Sequence, residues 1–402
     1  MTNGGESPGK TMETVEIYRE TLRHFLAPIQ PLLDDPAVSE VMVVGYDTVY
    51  FETAGRIQQA ESGFEDEPSL MAAVQNIAEF VGRRLDADNH SMDARLPDGS
   101  RVHVIIPPSS RRGVCLTIRK FQPATFTLPS LVDRGSMSDM AAEFLATSVL
   151  LHKNIIISGG TGTGKTSMLN ALSAAVPDEE RIVVIEDTSE LQLNQPHTVY
   201  LEAQPPRPSG RGGVTIRDLF VDSLRMRPDR IIVGEVRRGE ALELIQSMLS
   251  GHSGSLTTVH ANTPRDAASR LETLCLMNDT GLPVHVARAQ VASAIHLVVQ
   301  ISRLADGSRR VQTISEAIGL DDSDKYQWRD LFQFQAQGRD KDDRIQGELL
   351  PTGLRPTYAD EPAAMGYEDR IQLTDGLFSK SPDFARSSRS NGSHKTEKNT
   401  KS

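Results

Sequence analysis

The stretch Asn154-Ile155-Ile156-Ile157-Ser158-Gly159-Gly160-Thr161-Gly162-Thr163-Gly164-Lys165-Thr166 decides the fold of this chain. Its isoleucines read as a short buried strand, and the residues from Ser167 onward as a helix. Between them, Gly159, Gly164, Lys165 and Thr166 fit the phosphate-loop spacing G-x-x-x-x-G-K-[ST]. Glycines at these points let successive backbone N–H groups turn inward, forming an anion cradle at the positive end of a helix. Gly159, Gly160, Thr161, Gly162, Thr163, Gly164, Lys165 and Thr166 are therefore the expected nucleotide-binding residues. Lys165 is expected to reach the β- and γ-phosphates of ATP, and the Thr166 hydroxyl to ligate Mg²⁺.

Downstream, Ile- and Val-rich runs at residues 181–185, 198–201, 230–233 and 255–259 alternate with helical patterns. Such alternation predicts a parallel sheet buried on both faces. Ligands of an open parallel sheet gather at the carboxyl ends of its strands, so the residues there are the candidates. Glu186-Asp187 ends one strand. Either carboxylate can polarise the attacking water or hold Mg²⁺ through water, and Asp187 can equally cap a helix. Gly234-Glu235 ends another strand, of Walker B type. Many phosphate-loop ATPases carry Asp then Glu here, and with Gly234 in place of the Asp, Glu235 would reach the metal through water. The run from Gly251 to Asn262 sets His252 and His260 around a strand. His260, at the strand's end, can sense the γ-phosphate or relay its loss, although either histidine can also be an ordinary surface or core residue.

The rest of the chain divides around this block. Residues 1–12 are polar and expected to be disordered. Residues 13–121 read as an α+β domain, with helices at 15–33 and 68–85 and strands at 39–44, 48–52, 101–106 and 114–121. Proline-punctuated residues 122–129 read as a linker, and residues 130–338 as the phosphate-loop domain, ending in a hairpin at 296–302 and 309–318. Residues 339–402 are charged, then rich in Ser, Lys and Asn, and read as a largely disordered tail. The 402 residues leave room for two or three domains. A formal net charge of −11 argues against coating nucleic acid or anionic membrane through bulk charge. Cys115 and Cys275 lack metal-type spacing and suggest a reducing compartment. The polar N-terminus is unlike a signal peptide, and no apolar run is long enough to span a membrane. A cytoplasmic location is expected, with membrane association only through a partner.

The ordered set of phosphate loop, Glu186-Asp187, Gly234-Glu235 and paired histidines resembles the secretion ATPase superfamily, which powers type II and type IV secretion and type IV pili. Three runs look like its CpaF-type, tight-adherence pilus branch: Val214-Thr215-Ile216-Arg217-Asp218-Leu219, Ser223-Leu224-Arg225-Met226-Arg227-Pro228-Asp229-Arg230 and Val259-His260-Ala261-Asn262-Thr263-Pro264-Arg265-Asp266. The resemblance implies an α/β fold, a RecA-like ATPase domain with a mainly parallel sheet behind a smaller α+β N-terminal domain. It also implies a homohexameric ring, an inner-membrane platform protein as partner, and peripheral attachment at that membrane. Arg101 in Asp98-Gly99-Ser100-Arg101-Val102 and Arg119 in Leu116-Thr117-Ile118-Arg119-Lys120 match family arginines that neutralise γ-phosphate charge. A guanidinium suits that task because its donors are fixed and bidentate.

Other classes fit less well. A GTPase switch wants an Asn-Lys-x-Asp motif, which is missing after the phosphate loop. A small-molecule kinase needs neither the late histidines nor the large first domain. A nucleic-acid translocase or conjugative-transfer ATPase uses similar chemistry, but the acidic balance and the lack of an aromatic or basic groove weigh against nucleic acid as a partner.

Overall fold

The computed structural model describes residues 12–53, 55–121, 126–204, 206, 211–278 and 280–380. The chain divides into two compact units, Met1–Ala124 and Thr125–Ser402. Residues 1–11 of the expected disordered stretch 1–12, half of the expected linker (122–125) and the last part of the expected tail (381–402) lie outside the described residues.

In the first unit, helices α1 (Met12–Phe25), α2 (Gln30–Asp34) and α3 (Glu67–Phe80) accompany strands β1 (Val38–Val44), β2 (Val49–Thr53), β3 (Arg56–Gln59), β4 (Ser91–Arg95), β5 (Arg101–Ile105) and β6 (Cys115–Arg119). Among the described residues the strands form one antiparallel sheet in the order β3-β2-β1-β6-β5-β4. Period-two alternation decides which face is covered: Val102, Val104, Leu116 and Ile118 are buried against a core that includes Leu70, Val74 and Ile77 of α3. The Tyr18 ring of α1 stacks on Phe80, centroids 3.5 Å apart. The single helix expected over 15–33 is broken by a 3₁₀ turn at Ala27–Ile29, because Pro28 and Pro31 supply no amide donor. The helix expected to reach residue 85 stops at Phe80, and Gly82 follows in the left-handed region at φ 68°.

The second unit holds α4 (Leu128–Asp133), α5 (Asp139–Leu150), β7 (Ile155–Gly159), α6 (Lys165–Ser173), β8 (Ile182–Glu186), β9 (Thr198–Glu202), α7 (Ile216–Ser223), β10 (Arg230–Val233), α8 (Glu240–Leu249), β11 (Leu256–Val259), α9 (Pro264–Leu276) and α10 (Val284–Ala294). They are followed by β12 (Leu297–Arg303), β13 (Arg309–Leu320), β14 (Tyr326–Arg339), β15 (Ile345–Pro351) and α11 (Glu361–Ala364). The sheet runs β15-β14-β13-β12-β7-β11-β10-β8-β9 among the described residues. It is parallel from β12 to β9 and antiparallel from β12 to β15. Helices cover both faces, so β7, β8, β10 and β11 are buried along their whole length. Ile155 and Ile157 pack with α5 and α6, and Ile156 with the cluster holding α8 to α10. Helix α4 begins inside the expected linker, capped by Thr127 with Ser130 in a reciprocal capping box.

The expected boundary near residue 338 is corrected. Strand β14 runs through it, β15 pairs with β14, and residues 352–380 return across α5. Tyr358, Ile371, Leu377 and Phe378 are buried in the core around Phe144, and Phe378 stacks on Phe144 at 5.3 Å. Glu143 of α5 accepts hydrogen bonds from the backbone N–H groups of Gln372, Leu373 and Thr374, which fixes the return. These apolar residues are spaced without a period, so the segment looks solvated when read locally and is buried only by elements distant in sequence. Phe378→Ala is therefore expected to lower unfolding free energy by about 3–5 kcal/mol in chemical denaturation. Ending the chain after Lys380 should leave the midpoint unchanged. A Phe378→Ala midpoint equal to that of the unaltered chain would contradict this packing.

Candidate nucleotide site

The loop from Gly159 to Lys165 leaves β7 at the carboxyl end of the sheet and enters α6. A Cβ on Gly159 would stand 2.6 Å from both the Ile301 carbonyl and Thr163 Oγ1, so only glycine fits. Gly162 and Gly164 take φ of 70° and 96°, which a side chain rarely adopts. Thr163 closes the loop by donating from Oγ1 to the Gly160 carbonyl at 2.9 Å. Helices α7 and α9 are capped by the side chains of Thr215 and Thr263, whereas α6, with Gly164 at its cap, has no side-chain bond there, like α8 and α10. Its first-turn N–H groups are left for an anion.

Lys165 is buried, and its Nζ donates to the Gly160 carbonyl at 2.9 Å and to His260 Nδ1 at 3.3 Å. His260 follows β11, and its Nε2 lies 3.0 Å from Glu235 Oε1. Burial, then the Lys165 charge, hold His260 below its usual pKa. A neutral ring with its proton on Nε2 satisfies both contacts. Glu235 Oε2 accepts from Arg237 at 2.9 Å, and Arg237 reaches Asp187 at 3.3 Å. The result is a continuous chain, Lys165–His260–Glu235–Arg237–Asp187, across the ends of β7, β11, β10 and β8.

Glu186 sits differently. Its Oε1 accepts from the N–H groups of Glu190 and Leu191 at 2.8 and 3.1 Å, and the side chain is buried. Burial outweighs those bonds and pushes its carboxyl up to about 7. For Glu235 burial acts in the same upward sense, but the Arg237 hydrogen bond and charge, with His260 and Lys165, hold it below the usual carboxylate range. Two neighbouring carboxylates displaced in opposite directions divide the work: one can take a proton near neutrality, and the other stays ionised. A Cβ on Gly234 would come within 3.0 Å of Glu186 Cγ, so Glu186 fills the space that an Asp at 234 would need.

Arg101 and Arg119 face each other across β5 and β6, with Arg95 and Glu40 continuing the row on β4 and β1. They belong to the first unit and the phosphate loop to the second. His252 does not join the site: it precedes β11 and so lies at the opposite, amino end of the sheet from His260. Beside it, the Gly254 N–H is taken by Asn154, and the Gly254 carbonyl accepts from buried Arg230, which gives that half of the histidine run a structural task. Asp187 caps no helix, because β8 is followed by irregular chain up to β9. Arg237 escaped the sequence reading, although its place two residues after Glu235 is a local signal. Among the described residues no three His, Cys, Asp or Glu side chains close on one point. Thr166 follows Lys165 in the first turn of α6.

The chain matches the family model for type II/IV secretion system proteins over residues 23–375. It is 36% identical over 293 residues to a Mycobacterium tuberculosis protein whose name associates it with conjugal transfer, covering 71% of this chain and 83% of that one. It is 35% identical over 317 residues to the type IV secretion system protein PtlH of Bordetella pertussis, covering 71% and 91%. The X-ray structure of the Yersinia pseudotuberculosis ATPase DotB superposes with a TM-score of 0.52 at 14% identity, over 78% of this chain and 82% of that one, a likeness of fold. No helix among the described residues is long and apolar enough to cross a membrane.

The Glu186 environment has a stability consequence. A carboxyl raised in the folded state binds more protons than in the unfolded chain, so its contribution is full below the unfolded value of 4.5 and is lost as pH rises through about 7. Glu186→Gln keeps the acceptor oxygen without the charge. In nucleotide-free protein it should stabilise the fold at pH 8.5 by up to about 3 kcal/mol and have little effect at pH 4.5. Denaturation curves at the two pH values check this, and equal effects at both would remove the assigned cause.

Proposed function

The chain belongs to the type II/IV secretion system protein family, and we propose that it works as a motor ATPase of that family. The proposed form is a cytoplasmic hexameric ring on an inner-membrane platform protein, driving assembly of a tight-adherence or related type IV pilus, or protein secretion. The observation that carries this reading is the Lys165–His260–Glu235 chain beside a phosphate loop whose helix has no side-chain cap.

In the proposed reaction, water adds to the γ-phosphorus, the bond to the bridging β–γ oxygen breaks, and ADP keeps its electron pair. The proton of the water passes to Glu186, whose raised pKa suits a base that must also release protons near neutrality. Loop N–H groups and Lys165 bind the phosphates and meet the charge that develops on them. Thr166 directly, and Glu235 through water, would hold Mg²⁺, which would supply further neutralisation of phosphate charge. A γ-phosphate draws the Lys165 ammonium from His260, and loss of phosphate restores that contact, so His260 reports the state of the site to Glu235, Arg237 and Asp187. Arg101 and Arg119 are the proposed neutralisers of γ-phosphate charge, a task their fixed, bidentate donors suit. The conjugal-transfer relative favours a second reading, a conjugative-transfer ATPase. Turnover measured with and without DNA separates the two.

Lys165→Ala should abolish Mg²⁺-dependent ATP turnover in a folded protein. Glu186→Gln and Glu235→Gln should each lower turnover about a hundredfold, with weakened Mg²⁺ dependence confined to Glu235→Gln. The arginines are proposed to act on the nucleotide of their own subunit. Lys165→Ala subunits mixed with Arg119→Ala subunits should then stay inactive after verified exchange. Recovery well above either parent would place the arginines in a neighbouring subunit.

A further inference from the structure

Arg309 opens β13, 147 positions from the phosphate loop, yet its Nε–H donates to the Gly162 carbonyl at 2.9 Å. Its Cδ lies 3.4 Å from where a Cβ on Gly164 would stand. Gly162 and Gly164 are the left-handed residues of the loop, the ones whose conformation turns N–H groups inward and a carbonyl outward. Arg309 thus grips the cradle from outside at the point that gives it its shape. The Gly162 carbonyl and the Thr163 N–H belong to one peptide group. A charged donor on that carbonyl polarises the group and strengthens the N–H on its other side.

The turn that carries Arg309 is itself braced. Asp306 accepts from the Ser308 N–H at 3.0 Å and from the Ile345 N–H at 2.7 Å. Arg310 donates to the carbonyls of Ile345 and Gly347 at 2.8 and 3.1 Å, and its guanidinium lies 5.4 Å from the centre of the Phe334 ring. A continuous path therefore joins the start of β15 to the nucleotide loop through one side chain.

We propose that Arg309 is a positioning residue for the nucleotide, holding the phosphate loop in its anion-binding shape, and that β15 braces it through Asp306 and Arg310. The role rests on the ATPase reading above, and it deepens that reading by tying the C-terminal hairpin to nucleotide affinity. Arg309 acts on the loop before chemistry begins, so its loss should weaken binding more than it slows the bound complex. The same path makes β15 a lever: a displacement of the hairpin reaches Gly162 directly.

The test is binding of a fluorescent ATP analogue and of ADP to the full chain, with steady-state turnover measured alongside. Arg309→Ala should weaken both nucleotides about tenfold and raise KM to match, with kcat changed by less than about threefold. Arg309→Lys, which can still donate to the carbonyl, should recover most of the affinity. Arg310→Ala should reproduce part of the loss and add little to Arg309→Ala. Equal affinity of Arg309→Ala and the unaltered chain would overturn the proposal. So would a loss that follows the melting temperature and is not relieved by Arg309→Lys. Failure of the unaltered chain to bind nucleotide would instead overturn the ATPase reading, a result distinguishable from either.

Discussion

Strand β7 is paired in parallel on both edges, to β11 and β12, and is buried throughout, so the phosphate loop leaves the sheet from a point that cannot shift. Its amino end is pinned by Asn154. The Asn154 side chain accepts from the N–H groups of Gly254 and Ser255 and donates to the Ala294 carbonyl, and its backbone N–H is taken by His296 Nδ1 at 3.0 Å. Burial, then the Lys153 charge, push His296 down to about 4, which leaves that nitrogen free to accept. At the other end the clearance around Gly159 admits no side chain. A strand held this way gives the glycine-rich loop, with Gly162 and Gly164 in the left-handed region, a fixed base.

The same burial sets the electrostatics. At the ends of β8 and β10, two glutamates stand in one sheet and differ only in what surrounds them. Glu186 has backbone donors and little solvent; Glu235 has a guanidinium, an imidazole and the Lys165 charge nearby. Gly234 eases the arrangement, because a Cβ there would stand 3.0 Å from Glu186 Cγ, and Glu186 would have to give by a few tenths of an ångström. Arg237 then closes the chain to Asp187, which links the end of β10 to the end of β8.

On the other side of β7 the sheet turns antiparallel, and the hairpins do more than extend it. Residues 352–380 lay Tyr358 and Phe378 against Phe144 of α5, so this segment is part of the core that α5, α6 and β7 share. The β12–β13 turn reaches the loop from above through Arg309. The loop is therefore supported from below by β7, from the α6 side by packed helices, and from outside by the hairpin.

Much of this was legible in the sequence. The strand, loop and helix around Gly159–Thr166, the parallel β/α order, the acidic strand ends and the first-unit hairpins all rest on short-range signals: apolar period, glycine spacing and turn residues. Glu186, Glu235 and His260 could be named because strand ends converge in such a sheet. What the chain alone did not reveal was set by contacts between residues far apart in sequence. His260 was placed at its strand's end by the sequence, but its contact with Lys165 was not, and His252 lies one strand's length away at the amino end of the sheet. The opposite pKa displacements of the two glutamates come from burial and neighbours that no local pattern records. Arg309 and Phe378 carry no motif; one meets Gly162 and the other Phe144 only because the sheet and α5 bring them there. Local backbone and side-chain preferences chose the elements, and the close packing of distant segments chose which side chains share the site.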